Sequence, residues 1–169
     1  SQMRLTEVEL GGTAEAPGGG SVPRIHRYQA FNSRGQPRTV VLWAGSTDER
    51  TITFTYHPDL GDPLTRTEPS VLRNGDKVTI GDYDDPAATG DDPAIPNENP
   101  TRLLYQLIEQ GFTKNINGSV ISYQYNTVFT YNDKGQVTSI DGPVGGTGDK
   151  TNFVYRNGTC DLRWIARPH

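Results

Sequence analysis

The sequence predicts an all-β fold, an antiparallel sheet of repeated β-hairpins, on three observations. Gly and Pro are frequent, with 19 and 12 residues among 169, while only 33% of the residues are hydrophobic. Turn dipeptides of the Asn-Gly type separate short stretches rich in Thr, Val, Ile and Tyr, which are side chains that favour strands. An aromatic residue followed by a polar turn and a glycine also recurs along the chain. We expect one module spanning residues 1–169.

Strands are predicted where apolar and polar residues alternate between turn signals. The clearest is residues 51–56, where Ile52, Phe54 and Tyr56 share one face and threonines occupy the other. The full set of predicted strands is residues 27–31, 38–43, 51–56, 77–80, 120–131, 136–140, 151–155 and 161–165.

The middle of the chain is harder to assign. Residues 82–100 are acidic and Pro-rich and predict an exposed loop. Residues 101–110 fit two structures. Pro before the segment and Gly after it predict a short helix, whereas the alternation of Leu103, Tyr105 and Leu107 predicts a strand equally well.

The internal repeat combines an aromatic residue, a polar turn and a glycine. The aromatic ends a strand and packs on the next hairpin, and the glycine completes the turn without a Cβ clash. Its anchors lie 25 residues apart at Phe31 and Tyr56, and 24 apart at Tyr131 and Tyr155. A single hairpin of this kind cannot bury its own apolar face, so neighbours are expected to stack. The structural residues of the repeat are Phe31, Gly35, Tyr56, Gly61, Tyr131, Gly135, Tyr155 and Gly158.

These residues resemble the RHS/YD-repeat family, whose motif is Tyr-Asp, two variable residues and Gly-Arg-Leu, followed by a short strand and another tyrosine strand. The clearest matches are residues 27–72 and 123–167. The chain departs from the motif in two ways. Asn replaces Asp in both Tyr-Asp positions, and Gln replaces Arg after the glycine, at Asn32, Gln36, Asn132 and Gln136.

The resemblance implies hairpin sheets that wind into hollow β-shells, which enclose a C-terminal toxin in bacterial polymorphic toxins and form barrels in teneurin-like adhesion proteins. It predicts a non-catalytic structural module of a larger bacterial protein that is secreted or displayed at the cell surface. The expected partners are flanking repeats of the parent chain, or a second copy bound through exposed sheet edges. The alternative is an adhesin-like domain that binds carbohydrate or a cell-surface protein. A third hypothesis is a hydrolase built on the acidic loop.

Composition argues against several classes of partner. The net charge is −4, and Lys and Arg occur without a basic run, so nucleic-acid binding is not expected. The longest apolar run, residues 40–44, is too short for membrane insertion, which needs about 20 residues. The single cysteine, Cys160, cannot form an intrachain disulfide.

No catalytic, cofactor or metal-binding residues are predicted. Residues 145–151 resemble a phosphate loop, but Asp149 replaces the glycine before Lys-Thr and a strand is expected to follow, so a hairpin loop is favoured. The acidic residues of the middle segment could bind Ca²⁺, yet they lack the spacing of the known calcium loop, and a solvated loop is favoured. They are Asp82, Asp84, Asp85, Asp91 and Asp92.

The remaining polar and aromatic candidates have simple structural explanations. His26, His57 and His169 are scattered, so no zinc site is predicted, and His57 is expected at the surface. Cys160 is expected to be partly buried. The formal glycosylation sequons at residues 117–119 and 157–159 are explained as hairpin turns. Exposed aromatics could stack on sugars, but core packing of Trp164, Trp43 and the repeat tyrosines is favoured.

Overall fold

The computed structural model describes residues 7–15, 21–23, 25–72, 75–86, 88, 97, 100–146 and 148–167. Within these ranges the chain forms thirteen β-strands and no helix, which confirms the all-β prediction. The strands are β1 (Glu7–Leu10), β2 (Thr13–Glu15), β3 (Ser21–Pro23), β4 (His26–Phe31), β5 (Pro37–Leu42), β6 (Arg50–Tyr56), β7 (Pro63–Pro69), β8 (Asp76–Asp82), β9 (Gln106–Lys114), β10 (Val120–Tyr131), β11 (Val137–Asp141), β12 (Thr151–Tyr155) and β13 (Leu162–Ala166).

Eleven strands form one antiparallel sheet in the order β1-β4-β5-β6-β7-β8-β9-β10-β11-β12-β13, and β2 pairs with β3 separately. From β4 onward each strand lies beside the strand that follows it in sequence. Most of these neighbours are joined by short turns, and a tight turn can only return the chain antiparallel to the strand it leaves.

All eight predicted strands are present, with ends within two residues of the prediction. The pattern missed β7 and the three short strands nearest the N-terminus, and it left β9 open as one of two alternatives. β7 has the sequence Pro-Leu-Thr-Arg-Thr-Glu-Pro, with a proline at each end. Its apolar content is too low for a periodicity argument, although proline is tolerated at the first position of a strand.

The helix considered for residues 101–110 is wrong, and the strand alternative is correct only from Gln106 onward. The backbone hydrogen bonds before that point explain the difference. The N–H of Thr101 donates to the carbonyl of Tyr83 at 2.7 Å, and the N–H of Tyr105 donates to the carbonyl of Asp82 at 2.9 Å. These two N–H groups therefore donate to a distant segment, and not to the carbonyls four residues earlier that a helix requires.

The described ends of the acidic segment correct the prediction of an exposed loop. Tyr83 and Asp84 are buried, at 9% and 5% exposure, and Asp84 forms an isolated antiparallel bridge with Pro100. Asn97 fixes the base of the loop: its Oδ1 accepts from the N–H of Tyr83 at 3.1 Å, and its Nδ2 donates to the carbonyl of Gly81 at 2.9 Å. Asp91 and Asp92 lie outside the described residues.

The chain divides into two compact units, Ser1–Val78 with Gly111–Ile121 and Thr79–Gln110 with Ser122–His169. The prediction of one module for the whole chain stays a prediction. Among the described residues of the first unit, the buried apolar side chains are Val40, Ala44 and Ile52. Among those of the second, Tyr83 is buried, and so are the polar residues Asp84 and Ser139. With so little apolar burial, the sheet depends strongly on the hydrogen bonds and side-chain contacts between adjacent strands.

Candidate functional site

The turn after β4 is closed by the side chain of Asn32. Its Oδ1 accepts from the N–H groups of Arg34 at 2.9 Å and Gln36 at 3.0 Å, and its Nδ2 donates to Oε1 of Gln36 at 2.8 Å. Gly35 has φ 77° and donates its N–H to the carbonyl of Asn32 at 3.1 Å. A side chain with a Cβ is strained at this φ, so glycine is the residue that suits the position.

The turn after β10 repeats this network bond for bond. Oδ1 of Asn132 accepts from the N–H groups of Lys134 and Gln136, both at 3.0 Å, and Nδ2 donates to Oε1 of Gln136 at 2.8 Å. Gly135 takes φ 72°. Asparagine suits both turns because its amide, unlike a carboxylate, both accepts from the backbone and donates to the glutamine.

A histidine replaces the asparagine in the turn after β6. Nδ1 of His57 accepts from the N–H groups of Asp59 at 3.2 Å and Leu60 at 3.0 Å, and its backbone N–H donates to Asp62 at 2.8 Å. His57 was predicted at the surface, but it is half-buried in this turn. An imidazole nitrogen accepts a hydrogen bond only where it carries no hydrogen, so Nδ1 is the acceptor atom of the ring here.

The three repeat tyrosines end their strands in equivalent places. Tyr56, Tyr131 and Tyr155 are the last residues of β6, β10 and β12. Each of these strands pairs with the strand that follows it, and the register of that pairing shifts by one residue immediately before the tyrosine. Such a shift is the arrangement of a β-bulge. Phe31 ends β4 in the same way but without a register shift, since Gln29 and Phe31 keep one register with β5.

Each tyrosine hydroxyl binds a carbonyl near the start of the neighbouring strand. Tyr56 donates to Pro37 at 2.9 Å, and Tyr155 donates to Val137 at 3.0 Å. These acceptors are the first residues of β5 and β11. Tyr131 donates to Leu104 at 2.6 Å, two residues before β9 begins. The hydroxyl thus ties the end of one hairpin to the beginning of the preceding strand, a contact that the sequence pattern alone does not reveal.

Hydroxyl pairs precede two of these tyrosines at matching positions. Thr55 and Thr65 are directly opposed and their Oγ1 atoms lie 2.7 Å apart, and Thr130 and Ser139 are opposed with their hydroxyl oxygens 2.8 Å apart. Cross-strand hydroxyl pairs stabilise a sheet without apolar burial.

Burial raises the pKa of the tyrosine hydroxyls in this region. Desolvation is the largest cause of the raised pKa of Tyr56 and Tyr131. For Tyr131 the charge of Tyr105 raises the pKa further. The rings of Tyr105 and Tyr131 meet edge to face at 5.2 Å. The raised pKa of Tyr56 and Tyr131 keeps both hydroxyls protonated, so they remain hydrogen-bond donors at neutral pH.

Two side chains in the first unit connect successive turns. Nη2 of Arg34 donates to the carbonyl of Asp59, and Nε2 of Gln36 donates to the carbonyl of Gly61 at 2.8 Å. A Cβ at Gly61 would lie 3.0 Å from Cδ of Arg34, and its φ is 80°, so glycine also makes room for the arginine. Gln36 therefore supplies a bond from one turn to the next.

The strand β13 is exposed on both faces. Leu162 and Trp164 are each 47% exposed and Ile165 is 42% exposed, because β12 is the strand that flanks β13 in the sheet. Core packing of Trp164 was predicted and is wrong, whereas Trp43 is half-buried. Cys160, in the turn before β13, is exposed and not partly buried as expected. Gly158 in the same turn has φ 76°.

The remaining candidates for chemistry are separated from one another. In the described part of the chain, no group of three or more His, Cys, Asp or Glu side chains is placed to hold a metal ion. His26 is in β4, and His169 is outside the described residues. A strand, β12, follows the loop of residues 142–150, as the hairpin interpretation predicted. No helix long and apolar enough to cross a bilayer occurs among the residues that the structure describes.

Comparison of the sequence with protein-family models and with curated proteins finds no match. The repeated hairpin contacts are therefore the basis for a functional proposal.

Proposed function

We propose that the chain is a non-catalytic structural repeat module of a larger RHS-like protein, secreted or displayed at the bacterial cell surface. It forms part of a β-shell of the kind that encloses a toxin in that family. The observation that supports this most strongly is the tyrosine contact, in which Tyr56, Tyr131 and Tyr155 follow the same register shift and bind a neighbouring strand. Units whose contacts are completed by the next unit are typical of repeat proteins.

The same tyrosine contact identifies the carbonyl of β13 that a further strand would bind. Pro37 and Val137 are each the first residue of a return strand, and each receives the hydroxyl of the tyrosine one hairpin further along. Leu162 is the first residue of β13 and pairs with Tyr155, as Val137 pairs with Tyr131. Its carbonyl is therefore the corresponding acceptor for a further strand that ends in tyrosine.

The side chains of β13 favour such a neighbour. Trp164 and Ile165 are nearly half exposed, on opposite faces of the strand. A strand added beside β13 would cover part of both and would satisfy its outer backbone groups. Full burial of one large apolar side chain stabilises by about 1.5–3 kcal/mol. The occupant we propose is a flanking repeat of the parent chain, or a second copy of this chain when no flanking repeat is present.

Association through the exposed edge of β13 can be tested by sedimentation velocity of the isolated chain over a wide concentration range. We expect reversible association that grows with concentration, because an exposed apolar edge strand pairs with other edges. Ile165→Lys should abolish association by placing a charge at the edge. The matched control is Ile116→Lys, at a fully exposed position in the turn between β9 and β10, which should associate as the unchanged chain does.

Two results would contradict the proposal. One is a monomer at every concentration. The other is association that Ile116→Lys weakens as much as Ile165→Lys does, because the contact would then not involve β13.

A further inference from the structure

A polar groove of about 420 Å³ lies over β10 in the second unit. Gln124, Asn126 and Val128 form its floor, since alternate residues of a strand point to one face. Gln106, the first residue of β9, lies at one side, and the loop of residues 142–146 forms the other.

The groove exists because β11 is much shorter than β10. Their pairing begins at Val128, opposite Asp141. Gln124 and Asn126 therefore precede the paired segment, and beside them the chain leaves the sheet through the loop. Asp149 holds this loop: its Oδ2 accepts from the N–H of Val144 at 2.8 Å.

Glycine at position 142 suits the same arrangement. A Cβ at Gly142 would overlap the carboxylate of Asp149, so a larger residue there would push Asp149 out of this position. The contacts of Asp149 with Gly142 and Val144 thus hold this wall of the groove.

The floor carries a row of amides that are already partly organised. Nε2 of Gln110 donates to Oε1 of Gln124 at 3.0 Å, and Nε2 of Gln124 donates to Oδ1 of Asn126 at 3.3 Å. Each side-chain amide has two donor hydrogens and an acceptor oxygen. The two bonds above therefore use only part of the hydrogen-bonding capacity of these amides. Gln106 adds a further amide to the lining.

The charge of the groove argues against an ionic ligand. Its lining contains one ionisable side chain, Asp141, whose Oδ2 lies 3.6 Å from Nζ of Lys150. A phosphate, sulfate or acidic sugar would find no unpaired cation among the lining residues. A cationic ligand would have to compete with Lys150 for the single carboxylate.

Amides and a carboxylate match the hydroxyl groups of a sugar, because a hydroxyl both donates and accepts hydrogen bonds. Val128 and Val144, 38% and 60% exposed, offer apolar contact for the C–H faces of a pyranose ring. We infer that this groove binds a neutral oligosaccharide. The inference goes beyond the structural role proposed above and does not depend on it, and it gives the adhesin-like alternative a specific site.

The test is an NMR titration of the isotopically labelled full chain with four neutral probes: cellohexaose, maltohexaose, xylohexaose and chitohexaose. We expect at least one probe to shift the side-chain amide signals of Gln124 and Asn126, with a dissociation constant of about 1 mM or tighter, as suits a shallow polar site. Asn126→Ala should weaken that binding about tenfold.

Two further variants make the result specific. Val144→Ser changes only an exposed loop side chain and should also weaken binding. Asn152→Ala removes an exposed amide from β12, outside the groove, and should leave binding unchanged. The dispersion of each variant's amide spectrum shows whether it is folded, so a loss of binding can be separated from a loss of structure.

Several outcomes would overturn the inference: no shifts with any of the four sugars, shifts that map elsewhere, or equal binding by Asn126→Ala and the unchanged chain. A fourth would be a neutral extended peptide that shifts the β10 backbone signals while every sugar fails, since the groove would then be a strand-docking site.

Discussion

Tyr131→Ala is expected to lower the free energy of unfolding by about 3 kcal/mol, near the lower end of the range for removing a large aromatic side chain. The substitution removes the hydroxyl bond to the carbonyl of Leu104 and the edge-to-face contact with Tyr105. It also leaves that carbonyl without the tyrosine donor at the point where the chain enters β9. Urea unfolding followed by circular dichroism measures the change.

Tyr125→Ala is the matched control, because Tyr125 lies on the same strand but is 46% exposed. Its ring stacks on Tyr123 at 4.6 Å, so we expect a loss of about 1 kcal/mol. Equal losses for the two variants would mean that Tyr131 has no special place in the sheet.

Asn132→Ala is expected to cost about 2 kcal/mol, because it removes two backbone-to-side-chain hydrogen bonds and the bond to Gln136. Asn132→Asp should cost about 1 kcal/mol or less, since a carboxylate keeps both acceptor bonds and loses only the donor to Gln136. The same unfolding measurement applies.

Asp133→Ala serves as the control for this turn, because Asp133 is exposed at the next position, and surface substitutions usually change stability by less than about 0.5 kcal/mol. The account of the turn would be contradicted if Asn132→Ala matched Asp133→Ala. It would also be contradicted if Asn132→Asp were as damaging as Asn132→Ala.

The local features of this fold could be predicted from the sequence. Strands such as β6 and the turns at Gly35 and Gly135 depend on neighbouring residues, so alternation and turn chemistry reveal them. The four repeat aromatics were placed correctly at strand ends. β7 was missed because its sequence has little local strand preference, and pairing with β6 overrides that preference. β9 was left open because its segment fitted a helix and a strand equally well.

The contacts that join hairpins could not be predicted, because they link residues far apart in sequence. Nothing near Tyr131 indicates that its hydroxyl binds Leu104, 27 positions away. His57 illustrates a second limit, since a ring nitrogen can replace an asparagine oxygen in a turn and no residue pattern distinguishes this from surface exposure. Trp164 was placed in a core because large aromatics are usually packed, but among the described strands β12 alone lies beside β13.

Tyr56, Tyr131 and Tyr155 donate their hydroxyls in the same way in three hairpins of the sheet, and each of these bonds is expected to stabilise it. The most direct measurement is the change in unfolding free energy for Tyr→Phe at each of these positions, with Tyr125→Phe as the control. Each of the three should lose about 1 kcal/mol, the net value of a single hydrogen bond, and the control should change little. A loss at only one position, or a loss at Tyr125 as large as at the other three, would contradict the claim.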